Sequence, residues 1–240
     1  MPALIAAVAG LLSGPLVHHV AVQAGADRPF APARAVCRRC GEIHGRLLSA
    51  CPSCGLGPSR PLLTSLVNGG VWAGIAWRLG WEWALVAYLF FIGMTVALFL
   101  TDLDHKRIPN RITYPGTLIA LGLLATGAAG DGTAGAIPRA LAGAGVYAGI
   151  LFVVYLVARG GFGFGDVKLA VPLGLFLVFD AWERLFVAGL LTAVTGALVA
   201  LGAVVIGRAG AKTEIPYGPS MILGAWVALI GGEALTRVFM

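Results

Sequence analysis

The chain has 240 residues, 58% of them hydrophobic and only 12% charged, where an ordinary soluble domain carries about 25% charged residues. With a mean hydropathy of +0.88, this composition excludes a soluble domain with a large core and specifies a polytopic membrane protein. The net charge of +6 is scattered between apolar runs, which speaks against a nucleic-acid partner and for a role in membrane topology.

Leu4 to Gln23 is apolar and long enough for a first membrane helix, which needs roughly 20 residues. The start Met1-Pro2-Ala3-Leu4 has no basic residue, and the run exceeds the ~7–15 residues of a removable signal sequence. His18 and His19 fall near the end of this run and are expected at the membrane interface, facing polar loops. Residues 24–61 differ in character. Charge, proline and all four cysteines gather there, making it the one candidate extramembrane domain ahead of the membrane region 62–240.

Seven further apolar runs follow: Leu62–Leu79, Trp81–Leu100, Ile112–Gly130, Ile137–Ala158, the short Leu169–Phe179 with Pro172, Leu185–Ile206 and Tyr217–Leu235. Glycine and alanine recur in them, as in Ala140–Gly149, and small residues let membrane helices approach closely. Numbering the loops alternately puts thirteen Lys and Arg on one side and four (Arg78, Arg139, Arg184, Arg237) on the other. The positive-inside rule assigns the thirteen to the cytoplasm. The expected fold is therefore an all-α polytopic helix bundle of about eight spans with a small cytoplasmic insertion.

The insertion carries Cys37-Arg38-Arg39-Cys40 and Cys51-Pro52-Ser53-Cys54, ten residues apart. Two CxxC pairs can present four thiolates in a tetrahedron around zinc. The separation is shorter than the common ribbon spacing of about 15–20 residues, but a compact pair of knuckles suits it. A reducing cytoplasm argues against disulfides. Structural zinc on Cys37, Cys40, Cys51 and Cys54 is the expectation, with redox chemistry or metal-free thiols as the alternative. His44 is read as a surface residue.

Two polar stretches interrupt the apolar sequence. The first is Thr101-Asp102-Leu103-Asp104-His105-Lys106-Arg107-Ile108-Pro109-Asn110, a helix end, a basic turn and a helix start. Asp104 falls about 200° around a helix from Asp102, so both cannot face one partner. Asp102, nearer the apolar run, is the favoured acid. The second is Gly161-Phe162-Gly163-Phe164-Gly165-Asp166-Val167-Lys168, where alternating glycines allow a sharp bend or close approach. It resembles a dinucleotide GxGxxG only superficially, without a βαβ context. Ionisable groups beside membrane spans are costly and mark functional sites. Two carboxylates brought together share a proton; the ionised one activates water and the protonated one hydrogen-bonds the scissile carbonyl. The plain alternative is a pair of loop caps or salt bridges to Lys106, Arg107 and Lys168.

In order, these motifs resemble the type IV prepilin peptidase family of GxGD-type intramembrane aspartic proteases. Asp102 through Pro109-Asn110 resembles its first motif, Gly163-Phe164-Gly165-Asp166 with Lys168 its second, and Ile215-Pro216-Tyr217-Gly218-Pro219 a further family element. The resemblance implies catalysis by Asp102 and Asp166, with Pro109, Asn110, Gly163, Gly165, Lys168, Pro216, Gly218 and Pro219 in support. It also implies prepilin or pseudopilin substrates cleaved at the cytoplasmic face of a bacterial inner membrane. Many members also methylate the new N-terminus with S-adenosylmethionine. The chain departs from them after the second cysteine pair, where Gly55–Leu62 lacks the family's proline- and acid-containing stretch, and near the second span, where a usual carboxylate is absent. The resemblance therefore carries cleavage further than methylation. Competing readings are a zinc-bearing scaffold of a pilus or secretion machine, and a transporter coupling cations through intramembrane acids.

Overall fold

The computed structural model describes residues 1–25, 35–36, 43–44, 59–158, 163–205 and 217–239. Among these are eight helices: α1 (Pro2–Gly25), α2 (Ser59–Leu79), α3 (Leu85–His105), α4 (Asn110–Gly130), α5 (Ala136–Val157), α6 (Phe164–Asp180), α7 (Trp182–Val205) and α8 (Gly218–Phe239). A two-residue antiparallel ribbon pairs β1 (Ala35–Val36) with β2 (Ile43–His44), Ala35 opposite His44 and Val36 opposite Ile43. α1, α3, α4, α5 and residues Trp182–Gly202 of α7 are long and apolar enough to cross a bilayer. α6, at 17 residues, is shorter than a typical span, and the apolar part of α8 is Gly218–Gly232. At Gly232 the backbone turns to φ 53°, ψ −141°, and α8 kinks. Large apolar side chains such as Leu12, Leu66, Val157 and Leu198 are exposed, as lipid-facing residues should be.

The chain forms two compact units, one of Met1–Trp81 with Leu89–Gly116, the other of Glu82–Tyr88 with Thr117–Met240. In the first, α1 and α2 meet through small residues. Gly10 and Gly14 sit four apart on α1, and a Cβ at Gly10 would lie 2.7 Å from Gly69 Cα. The fully buried Asn68 joins the two helices, its Nδ2 donating to Gly10 O at 3.0 Å and to Ser13 Oγ at 3.1 Å. Small residues with a polar clasp are how helices associate where lipid removes the hydrophobic drive.

In the second unit, α6 is the enclosed element. Its buried residues run from Asp166 to Phe179, with Lys168 and Val171 reaching outward. Gly174 and Gly143 bring α6 against α5, and Gly224 brings α8 against Ala188 and Thr192 of α7. Arg139 of α5 caps the far end of α6, donating to Val178 O at 3.0 Å, to Phe179 O and to Asp180 O at 3.1 Å. Arg184 pairs with Asp180 at 2.8 Å. Asp131 caps the start of α3, accepting from the N–H of Trp83 and of Ala84, each at 2.8 Å.

The α5–α6 approach is testable. A Cβ at Gly174 would lie 2.5 Å from Gly143 O and 3.0 Å from Ala144 Cα, and backbone cannot swing aside. Gly174→Ala is expected to destabilise by about 1–3 kcal/mol, measured as a lower melting temperature in detergent. Gly145→Ala on the same α5, whose Cβ would meet nothing within 4 Å, should leave the melting temperature unchanged or raise it.

Candidate active site

Asp102 occupies the last turn of α3 and is 5% exposed. The helix persists through His105, so Asp102 and Asp104 do point to different surroundings. Thr101, also buried, returns its hydroxyl to Leu98 O at 2.9 Å. The helix closes on Lys106, whose N–H donates to Asp102 O at 2.8 Å while its φ is +50°. That left-handed closing residue is usually glycine. Pro109 then opens α4: its carbonyl accepts from Ile112 N, Thr113 N and Thr113 Oγ1, all at 3.1 Å. Asn110 is the first residue of α4 and is exposed.

Asp104 meets Arg60 of α2, whose Nη1 lies 3.0 Å from each carboxylate oxygen. Behind Arg60, Thr64 Oγ1 donates to Arg60 O at 2.9 Å and lies 3.3 Å from His18 Nδ1. His18, Thr101, Asp104 and His105 line a small pocket. His19, expected to face a polar loop, is instead 6% exposed, with Nε2 2.9 Å from Gln23 Nε2. One helical turn places the two side chains together, and burial gives them a reason to pair.

Asp166 lies in the first turn of α6 and is 8% exposed. Its N–H donates to Gly163 O at 3.1 Å. Gly163 takes φ −80°, ψ 137°, extended backbone open to any residue, and a Cβ there would meet Asp166 Oδ2 at 3.5 Å, an ordinary contact. The sharp bend expected of the glycine motif therefore does not fall at Gly163, and Gly165 is already helical. The helix begins at Phe164, ahead of the apolar run, so Asp166 belongs to α6 rather than to a loop before it. Lys168 Nζ stands 5.0 Å above the Phe164 ring, which packs on Tyr155 with centroids 5.5 Å apart.

Two tyrosines stand around Asp166: Tyr147, which with its partner Thr192 carried no motif, and Tyr217, which belongs to the Ile215–Pro219 element. Tyr147 of α5, 6% exposed, shares a hydrogen bond with the buried Thr192 of α7. Tyr217, just ahead of α8, lays its ring on α7: a Cβ at Gly196 would lie 3.1 Å from Tyr217 Cε2. Both tyrosines interact electrostatically with Asp166. Tyr147 could have been noticed as a lone phenol inside an apolar run. Gly218 and Pro219 start α8 and are buried. Asp102 and Asp166 fall in different compact units. Pro216, Gly161, Cys37, Cys40, Cys51 and Cys54 lie outside the described residues. No cluster of three or more metal-ligating side chains occurs among the described residues.

Residues 89–201, which include both Asp102 and Asp166, match the type IV leader peptidase family. Over this segment, just under half of its length, the chain is similar to that family. The chain is 31% identical to the prepilin leader peptidase/N-methyltransferase of Pseudomonas aeruginosa over 200 residues, 79% of this chain and 65% of that protein. It is 30% identical to the one of Aeromonas hydrophila over 191 residues, 76% and 61% of the two chains. It is 29% identical to that of Neisseria gonorrhoeae over 199 residues, 80% and 65%. The chain thus spans less than two thirds of the length of these relatives. No solved structure matches it.

The left-handed Lys106 closing α3 predicts its own test. An L side chain at positive φ costs roughly 1–2 kcal/mol, which glycine avoids. Lys106→Gly is expected to raise the melting temperature by a few degrees, whereas Lys106→Val, β-branched, should lower it.

Proposed function

We propose that this chain is a membrane-embedded aspartic endopeptidase that removes the leader peptide of type IV prepilins or pseudopilins, with Asp102 and Asp166 as its two catalytic carboxylates. One observation carries the reading: within the family-matched segment, each of these acids is buried in the terminal turn of a helix. Burial of a carboxylate beside hydrocarbon is costly, and two such sites in one matched segment are hard to explain as surface caps. The terminal position also separates this reading from ion transport, which places its acids near the middle of broken helices.

In the proposed chemistry, one carboxylate removes a proton from water, which attacks the scissile carbonyl. The other donates a hydrogen bond to the developing oxyanion and later protonates the leaving amine. The proton belongs to the pair rather than to either acid. The basic residues beside Asp102 and Asp166 assign both acids to the cytoplasmic face by the positive-inside rule. Exposed tryptophans mark the opposite ends of the same helices as membrane–water interface, without bearing on which face is cytoplasmic. Trp83 precedes the end of α3 opposite Asp102, and Trp182 begins α7 beside the end of α6 opposite Asp166. Indole rings collect at the membrane–water interface.

Cys37, Cys40, Cys51 and Cys54 are proposed to hold one structural zinc. Four thiolates suit a closed tetrahedral site, and β1 and β2 flank the first pair in sequence. Such a metal would order a segment too small for a core of its own. N-methylation is carried in the relatives' names. It requires S-adenosylmethionine, and Gly55–Leu62 lacks the family's proline- and acid-containing stretch. The proposal is therefore made for cleavage.

Prepilin cleavage in membranes should fall by more than about 100-fold in Asp102→Asn and in Asp166→Asn separately, at equal protein levels. Cleavage by both variants at the unaltered rate would sink the aspartic mechanism. Metal analysis of the purified chain should find one zinc per chain, lost in Cys37→Ser; a metal-free chain would leave the cysteines as simple thiols.

A further inference from the structure

We infer that Arg60 and Asp104 are a positioning pair that fixes the last turn of α3 and thereby aims Asp102. The inference rests on the peptidase reading above and adds two residues to it.

Each charge of the pair stands at the end of its helix that disfavours it. Asp104 is the penultimate residue of α3, where unsatisfied carbonyls disfavour an anion. Arg60 is the second residue of α2, where unsatisfied N–H groups disfavour a cation. The reverse arrangement would suit both helices. A pair built against both helix dipoles is not there to stabilise either helix. It is an exposed pair too, with 53% of the Arg60 side chain accessible, and such pairs add little to global stability.

What the pair does supply is orientation. Arg60 Nη1 stands 3.0 Å from each carboxylate oxygen, so one charged nitrogen straddles the carboxylate and holds both of its oxygens at once. The anchor is itself held, through Thr64 and its contact with His18 of α1. The held residue is two positions from Asp102. The last turn of α3 ends one residue later and closes on a left-handed Lys106 whose N–H binds Asp102 O. Helix ends open first. Loosening this one would displace the Asp102 backbone and with it the carboxylate. The pair joins residues 44 apart in sequence, tying the segment that follows the cysteines to the helix that carries the proposed catalytic acid.

The test is prepilin cleavage kinetics with the full chain in liposomes. Arg60→Ala and Asp104→Asn should each lower kcat about five- to ten-fold with KM unchanged, the scale of a small misalignment of a reacting group. Arg60→Lys, which keeps the charge but loses the planar guanidinium, should fall between Arg60→Ala and the unaltered chain. The exchange Arg60→Asp with Asp104→Arg should return kcat to within about two-fold, since it rebuilds the pair and now suits both helix dipoles. Full kcat in both single variants overturns the inference. So does an exchanged chain that melts at the unaltered temperature but cleaves as slowly as the single variants. The exchange decides the matter even if the single variants prove less stable. Asp102→Asn is run beside them: loss of cleavage there with full activity in Arg60→Ala removes only the pair, whereas retained cleavage in Asp102→Asn removes the peptidase reading itself.

Discussion

Enclosure of α6 is the constraint from which its unit follows. A helix buried on nearly every side, from Asp166 to Phe179, needs small residues where neighbours cross it and polar partners where its backbone ends. Gly143 and Gly174 meet the first need. Arg139 meets the second, its guanidinium donating to the three last carbonyls of α6, which have no partner within the helix. Arg184, itself buried, pairs with Asp180 and reaches Leu229 O of α8 at 3.4 Å. Tyr88 completes the frame, its ring edge-on to Phe176 with centroids 5.0 Å apart and its hydroxyl donating to Phe176 O. The result is a short helix fixed at one end by cations and carrying an acid in the first turn at the other. Both charges agree with the helix dipole. Asp166 therefore stands on a rigid support, as a reacting group should.

The setting of Asp102 is the opposite. α3 ends in two acids with only His105 as a basic residue in its last turn, against the dipole. Its closure uses a lysine at positive φ. Such local conflicts concentrate at functional sites, where the surroundings hold a conformation the local sequence would not choose. The two proposed catalytic acids thus come from unlike helix ends, one supported by its own helix and one supported from α2. A pair that divides acid and base roles needs its members to be inequivalent, and this difference supplies the inequivalence without any further residue.

Hydropathy alone located the helices because lipid-facing segments must be apolar over a fixed length. The eight runs correspond to the eight helices among the described residues, but only α1, α3, α4, α5 and α7 are long and apolar enough to cross a bilayer, and α2, expected to span, is not among them. The two polar stretches fell at helix ends. Boundaries were less legible. α6 starts at Phe164, five residues before the apolar run, because burial of Asp166 and Val167 extends the helix through a glycine-rich stretch that local propensity disfavours. Pro172 did not end it; a proline in a packed membrane helix is tolerated when neighbours compensate. His19 was misplaced because its partner Gln23 becomes a neighbour only through helical geometry and burial. Arg60 with Asp104, and Asp131 with the start of α3, join residues more than 40 apart, and nothing in a single sequence encodes such a meeting.

The limits of the family match and of the site do not coincide. The match ends at residue 201, yet Tyr217 interacts with Asp166 from beyond it. The ring of Tyr217 rests on Gly196, where a side chain would crowd it, and Ser220, one turn into α8, is buried close by. The Ile215–Pro219 element was noticed as a string of residues. Its described part, Tyr217 with Gly218 and Pro219, opens α8, which Gly224 holds against Ala188 and Thr192 of α7 while the Tyr217 ring rests on Gly196. Thr192 also holds Tyr147 from the other side. The packing of the last two helices and the environment of the second acid are thus one arrangement, built from α5, α6, α7 and the start of α8 together.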